Sequence, residues 1–312
     1  MAIVSNTFLT YAAIGNREDL ADRIYNISPV DCPFMANIGK GKATATLHEW
    51  QTDSLAAAAA NAQLEGDDTT FTAAVATTRL GNTCQISRKD IIVSGTQDAV
   101  NKAGRRKEMV YQMAKRAKEL KRDCEFILTN NQAPVATGNS TLARQLRPLC
   151  GWYSTNDNRG TGGSDGSTSA AATDGTQRAL TENLLKTVVQ NCWTAGGNID
   201  LVLTGAFNKT VISGFAGNAT RFDKSEDKKV TATVDVYVSD FGSHRIVADR
   251  FSRARDCHVL DTEYWAVSYL RPMFTEDLAK TGDAAKGQHI VEYTLEARNE
   301  ASSGIVADLT TS

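Results

Sequence analysis

A long β-rich excursion without a core of its own limits how this chain can fold. Over residues 44–48, Ala45 and Leu47 alternate with polar residues, which is typical of a half-buried strand. A second β-rich run covers residues 69–93, and the segment between the two runs, SLAAAAANAQLEGDD, is polar and rich in alanine. An isolated two-stranded hairpin is marginally stable in water. We therefore predict that this excursion packs against another surface.

Length and composition predict a folded protein without a strong charge field. The 312 residues are enough for one large domain or two ordinary ones, and the apolar and charged fractions, 41% and 22%, are average for globular proteins. Because 34 basic residues nearly balance 36 acidic ones, the formal charge of −2 does not recruit a polyanion. The N-terminus lacks a signal-peptide pattern, and no apolar run approaches the ~20 residues of a membrane span. We expect cytoplasmic production and no membrane contact.

The cysteine and histidine residues give no pattern typical of a metal site. Six cysteines lie at wide intervals without a C-x-x-C pair, and four histidines are equally scattered. Only Cys257 and His258 are neighbours, and adjacent side chains on a strand point to opposite faces. We predict reduced, mostly buried thiols, no metal site and no cofactor.

The clearest helix signal follows the excursion, over about residues 96–131. Thr96 is a candidate N-cap, and the helix is expected to end before Pro134. The other faces are strongly basic, which fits either a solvated surface with i to i+4 ion pairs or contact with DNA or an acidic partner. The apolar stripe that defines the helix consists of Val110, Met113, Ala117, Leu120, Cys124 and Ile127.

The second half of the chain predicts a separate α/β unit followed by β structure. Residues 154–178 have almost nothing to bury and predict a long mobile surface loop. A helix is expected from Thr181, ending at Gly196 and Gly197, and the run IDLVLTG predicts a buried strand. The runs EYWAVSYL and HIVEYTLEA predict further strands near the C-terminus.

Three short motifs resemble catalytic signatures, and each lacks the context that its chemistry requires. The stretch ANIGKGKAT has Ala36 and Ala43 where a P-loop needs Gly and Ser or Thr, and a β pattern follows it instead of a helix. We instead expect Gly39 and Gly41 to provide a flexible bend between arm and excursion. GGSDG lies in low-complexity sequence, and DFG lacks the other kinase motifs. A nucleotide hydrolase stays a weak alternative, and we predict no enzyme and no catalytic residues.

The order of parts resembles the major capsid protein of tailed bacteriophages, with the α+β Hong Kong 97-like fold. The amino-acid sequence itself is similar to that of podovirus-type major head proteins over most of the chain. The phrases that carry this resemblance include DLADRIYNISPVDCPFMANIGKGKATATLHEWQTDSL, TRLGNTCQISRKDIIVSGTQDAV, KAGRRKEMVYQMAKRAKELKRD, WTAGGNIDLVLTGAFNK, VDVYVSDFG and VEYTLEARNEASSGIVADL. A nanocompartment shell protein of the same fold, similar to encapsulins, is the alternative.

The resemblance implies a division of the chain and a set of functional residues. The implied parts are an N-terminal arm (1–43), an E-loop (44–95), a P-domain with the spine helix and polar loop (96–180), an A-domain (181–265) and P-domain return strands (266–312). The implied inter-subunit residues of the E-loop are Trp50, Leu55, Leu64 and Phe71. The implied hinge residues are Gly39 and Gly41, and the implied DNA-facing residues are Arg105, Arg106 and Lys115.

The resemblance also implies partners. We expect the protein to self-assemble as hexamers and pentamers into an icosahedral shell that encloses double-stranded DNA on its inner face. A separate scaffold protein and a portal are expected, with decoration proteins as an optional addition. Assembly in the host bacterial cytoplasm and a final place in the virion capsid follow. Some proteins of this fold crosslink lysine to asparagine between subunits, but no such pair is placed here, so we predict no crosslink.

Overall fold

The computed structural model describes residue 7 and residues 27–68, 71–215 and 235–312, so most of the predicted arm lies outside the described residues. The helices are α1 Pro33–Asn37, α2 Gly95–Ala99, α3 Glu108–Thr129, α4 Leu149–Trp152, α5 Glu182–Thr194 and α6 Ala206–Ser213. The strands are β1 Gly39–Lys42, β2 Leu47–Thr52, β3 Thr78–Thr83, β4 Gln85–Ser94, β5 Asp157–Asn158, β6 Leu201–Thr204, β7 Val236–Ser239, β8 Gly242–Ala248, β9 Cys257–Leu260, β10 Trp265–Leu278, β11 Ala284–Ala297 and β12 Gly304–Val306.

The first layer is a four-stranded sheet, in the order β1-β10-β11-β4, with α3 packed against it. β1 runs parallel to β10, and the other neighbours are antiparallel. Along α3, Leu120, Cys124 and Leu128 recur every four residues, so one face of the helix is buried in a core that includes Trp265 and Tyr293. The apolar stripe predicted from the sequence is therefore confirmed at its C-terminal half.

The second layer is a six-stranded sheet, in the order β5-β12-β9-β6-β8-β7, flanked by α5 and α6. The central strand β6 is buried along its whole length, as its LVLT sequence predicts. Helix α5 begins where predicted, because the Thr181 hydroxyl accepts a hydrogen bond from the Leu184 N–H at 3.4 Å. Gly196 follows the helix with φ +95°, a left-handed conformation that suits glycine.

The predicted helix over residues 96–131 is wrong at its N-terminal end, because two helices replace one. Ser94, not Thr96, caps α2, and its hydroxyl accepts a hydrogen bond from the Gln97 N–H at 3.2 Å. The chain then turns through Gly104 at φ +74°. α3 starts only at Glu108, whose N–H donates to Asp98 Oδ1 at 3.0 Å. The apolar periodicity itself begins only at Val110, so the helix start had been extended too far back along a segment without a stripe.

The polar loop at residues 154–178 is held in place, in contrast to the mobile loop that we predicted. The buried Asp308 carboxylate accepts hydrogen bonds from the Gly160 N–H at 3.0 Å and the Gly175 N–H at 2.9 Å. Arg255 donates to the same carboxylate at 2.7 Å. Composition failed here because the loop is stabilised by polar contacts to the distant C-terminus instead of by burial of apolar side chains.

The C-terminal segment divides between the two sheets. β10 and β11 return to the first sheet, as predicted, whereas β12 pairs with β9 and β5 in the second. The last strand of the predicted return segment 266–312 therefore lies in the second sheet, with strands of the predicted A-domain, and not with β10 and β11. Among the helices in the described part of the chain, none is long and apolar enough to cross a bilayer.

Candidate functional site

The base of the predicted E-loop is a two-stranded antiparallel hairpin, β2–β3, that docks on its own chain. The Trp50 indole N–H donates to the Ala297 carbonyl at 2.8 Å, and its ring lies 5.6 Å from the Trp152 ring between centroids. The Asn82 side-chain amide donates to the Leu295 carbonyl at 2.8 Å. Trp50 therefore anchors the hairpin within the subunit, and its contact with a neighbouring subunit stays a prediction.

The connection between β2 and β3 is exposed to solvent over its described residues. These residues, 53–68 and 71–77, are all exposed and contain neither helix nor strand. Four large apolar side chains project from it: Leu55 is 99% exposed, Leu64 80%, Phe71 91% and Val75 89%. Apolar side chains grouped on one exposed segment indicate a surface that a partner covers. We call residues 53–77 the hairpin tip.

The glycines of ANIGKGKAT lie in a paired strand, so the predicted hinge at Gly39 and Gly41 is wrong. Both belong to β1, which pairs in parallel register with β10. A Cβ atom at Gly41 would clash with the Ser268 hydroxyl, and one at Gly39 would lie 3.3 Å from the Trp265 carbonyl oxygen. Glycine is therefore needed at these two positions because β1 and β10 approach each other closely there. The stretch forms a strand edge and no phosphate-binding loop.

A basic face runs along the solvent side of α3 and the turn before it. Of the three predicted DNA-facing residues, Arg106 and Lys115 are exposed. Arg105 is instead paired with the buried Glu108 carboxylate, which accepts its Nε–H, and its guanidinium lies 5.3 Å from the Tyr111 ring centroid. On α3 and in the turn before it, the exposed basic residues without an ion pair to another described residue are Arg106, Lys107, Lys115, Lys118 and Lys121.

A buried cluster of potential metal ligands was missed by the sequence analysis. Cys150 of α4, Asp256 just before β9 and His258 in β9 each place one ligand atom within 4.8 Å of the other two, and all three residues are buried. Asp256 and His258 are two residues apart where the chain enters this strand, a spacing that favours one face, and this spacing was the available signal. The Cys257–His258 neighbours that we considered do point to opposite faces. The sequence predicted no metal site, and the fold brings together three candidate ligands that the sequence pattern left apart.

The sheet with its long helix, the second α/β sheet and the projecting hairpin together form a fold that solved phage capsid proteins share. Solved structures with this fold include the capsid of cyanophage A-1(L), at 14% identity and TM-score 0.62 over 97% of this chain and 99% of that one. The capsid of a native GTA particle gives 10% identity and TM-score 0.63 over 96% of this chain and 98% of that one.

The chain belongs to the SU10 major capsid protein family, whose model matches residues 3–310. It is also 27% identical over 337 residues to the major capsid protein of Escherichia phage Phieco32, covering 96% of each. The α+β Hong Kong 97-like fold and the function as a phage major capsid protein, a structural protein of the virion, are thereby confirmed. The comparisons give no support to the nanocompartment alternative.

Proposed function

We propose that the hairpin tip joins neighbouring copies of this major capsid protein into a closed icosahedral shell of hexamers and pentamers around double-stranded DNA. The role is structural, with no catalytic step. The observation that supports this most is the exposure of Leu55, Leu64 and Phe71 on a segment whose described residues form neither helix nor strand and are all exposed. In the shell, a neighbouring subunit covers these side chains.

The size of the apolar contact suits reversible assembly. Full burial of a Leu or Phe side chain contributes about 1.5–3 kcal/mol, so three such side chains contribute at most about 5–9 kcal/mol per contact. Part of this is offset by ordering of the tip, which lowers the net affinity of a single contact. In a closed shell each subunit makes several such contacts at once, and effective concentration multiplies them. Weak individual contacts are then compatible with a durable particle.

The basic face supports the placement of α3 towards packaged DNA. Arg106, Lys115 and Lys118 are exposed and have no acidic partner in the described ranges, so phosphate oxygens can pair with them. Arg105 is not proposed as a DNA contact, because its charge is already paired with the Glu108 carboxylate. Because the formal charge of the whole chain is −2, DNA is attracted only locally, by this basic face. Packaging of the DNA into the shell is then driven by a motor.

Further partners follow from similar assemblies. One similar structure, a satellite phage P4 procapsid, includes a size determination protein, and another, from phage G, contains decoration proteins beside the major capsid proteins. For this chain we propose a separate scaffold protein and a portal, with optional decoration proteins, and assembly in the cytoplasm of the host bacterium.

Serine substitutions in the hairpin tip test the assembly proposal. The triple variant Leu55→Ser, Leu64→Ser and Phe71→Ser should fold normally, because these side chains are exposed in the subunit, yet form few or no shells in electron micrographs and sedimentation. The matched control is Leu142→Ser, another exposed apolar side chain (48%) outside the hairpin, which should assemble normally. Deletion of residues 54–68 should give the same loss. Shells of ordinary yield and size from the triple variant would contradict the proposal.

A further inference from the structure

The buried Cys150, Asp256 and His258 form a compact set of donors at the boundary between the two cores. Cys150 Sγ lies 3.4 Å from Asp256 Oδ2, and the three ligand atoms lie within 4.8 Å of one another. Cys150 belongs to the first core with α4, whereas His258 lies in β9 of the second sheet and Asp256 directly precedes that strand. An occupant at this point would contact both layers of the subunit.

Unsatisfied polar atoms point to such an occupant. The His258 side chain is 0% exposed, yet neither ring nitrogen has a hydrogen-bond partner among the described residues, and the same holds for Asp256 Oδ1. A buried polar atom without a partner costs about 1–3 kcal/mol, so three of them together are unfavourable unless something binds there.

The donor set matches the preferences of zinc. Zn²⁺ takes Cys sulfur at ~2.3 Å and His nitrogen or carboxylate oxygen at ~2.0–2.2 Å, in a tetrahedron whose edges are then roughly 3.3–3.8 Å. Cys150 Sγ lies 3.4 Å from Asp256 Oδ2, so the sulfur and this carboxylate group already lie at about that separation, and Oδ1 of the same group has no hydrogen-bond partner among the described residues. All three ligand atoms lie within 4.8 Å of one another. A soft sulfur with imidazole and carboxylate disfavours Mg²⁺ and Ca²⁺, which prefer oxygen ligands alone.

The two arginines beside the cluster do not cancel its charge. Arg253 donates to Asp174 at 2.8 Å, and Arg159 pairs with Asp165 at 2.9 Å, so each guanidinium has a carboxylate outside the cluster. Arg253 also approaches Asp256 Oδ2 at 3.2 Å, which leaves Oδ1 free to bind an ion. Once the thiol is deprotonated, the thiolate and the Asp256 carboxylate together match the charge of one divalent cation.

We propose that Cys150, Asp256 and His258 bind a structural Zn²⁺ ion that ties α4 to β9. Binding forms the Zn–S bond and releases the Cys150 thiol proton to solvent, so that no oxidant or reductant is needed. A water molecule completes the four-coordinate site. Because the site is fully buried, the ion enters as the subunit folds, and it strengthens the junction between the P-domain and the A-domain sheet.

Zinc content of the full chain tests this directly. Wild-type protein produced in zinc-supplemented medium and dialysed extensively should hold about one zinc per chain by elemental mass spectrometry. Cys150→Ser and His258→Gln should each lose at least nine-tenths of it. Cobalt-substituted wild type should show the sulfur-to-cobalt charge-transfer absorption, which Cys150→Ser should lack. Cys257→Ser is the matched control, since Cys257 is equally buried on the same strand but packs into the second core.

The wild-type measurement stands without any variant, so misfolding of a substituted chain does not leave the question open. Less than a tenth of a zinc per chain in wild type, together with a thermal unfolding midpoint that added Zn²⁺ does not raise, would overturn the proposal and indicate a water-filled polar cluster. Equal zinc in folded Cys150→Ser and His258→Gln would overturn it as well, because the ion would then lie elsewhere.

Discussion

Glu125 on α3 should make the subunit less stable as the pH rises from about 4.5 to about 7. Its side chain is fully buried and accepts hydrogen bonds from the Phe34 N–H at 2.6 Å and the Met35 N–H at 2.9 Å, at the start of α1. Burial, with a smaller contribution from the Asp249 carboxylate, raises the pKa of Glu125 from 4.5 to about 7. The two N–H donors and Lys121 act in the opposite direction without cancelling it.

The shift sets the magnitude and the sign of the effect. A change from 4.5 to about 7, at about 1.36 kcal/mol per unit, corresponds to about 3 kcal/mol. Between these two values the folded chain holds a proton that the unfolded chain has released. The contribution of Glu125 to the free energy of unfolding is therefore fully present below about pH 4.5, and it is lost as the pH rises through about 7.

Urea unfolding of the dissociated subunit between about pH 5 and pH 8 measures this effect. Glu125→Gln does not titrate, so the difference in unfolding free energy between wild type and variant should change by about 2–3 kcal/mol over the range. Other acids with a raised pKa that do not interact with Glu125, such as Asp157, cancel in this difference. Glu119→Gln, a partly exposed change on the same helix, should retain the wild-type slope. Identical pH slopes for wild type and Glu125→Gln would refute the reasoning.

Three further substitutions have defined outcomes. Gly41→Ala should lower the free energy of unfolding by about 1–3 kcal/mol, because the added methyl group meets the neighbouring strand; chemical denaturation measures it. Asp308→Asn should cost about 3 kcal/mol in the same assay, since the carboxylate holds two backbone N–H groups and a guanidinium. Lys115→Gln with Lys118→Gln should leave empty shells intact while the salt dependence of DNA retention falls, by a slope of about one per lost phosphate contact.

Each of these has a control and a result that would contradict it. The methyl group added by Gly39→Ala lies farther from its neighbour than the one added by Gly41→Ala, so Gly39→Ala should lower the free energy of unfolding less. Unchanged free energies of unfolding in both variants would contradict this reasoning and indicate a freely moving junction. Asp174→Asn, at a half-exposed carboxylate, should cost well under half as much as Asp308→Asn. Equal loss of empty and filled shells in the double lysine variant would assign that face to subunit packing.

Elements with a strong local period were predictable from the sequence. The stripe through Leu120 and Cys124, the buried strand Leu201–Thr204 and the helix that begins after Thr181 were all confirmed, because periodicity reports which side of an element is buried. The unsupported excursion was recognised in the same way, since its tip offers too little apolar surface for a core. Long phrases shared with phage head proteins then identified the family, which the comparisons confirmed.

Which surface each element meets was decided only by the tertiary structure. The sequence suggested that Trp50 contacts a neighbouring subunit, whereas in the fold its indole N–H donates to a carbonyl at the end of β11. The sequence suggested that Gly41 is a hinge, whereas in the fold it lies in a strand paired with β10. Asp308 orders a loop more than a hundred residues earlier in the chain, and Cys150 meets His258 only because α4 packs against β9. Sheet order and register determine such contacts, and a local period contains no information about either. The sequence by itself therefore determined the elements and the family, whereas the fold assigned each side chain its partner.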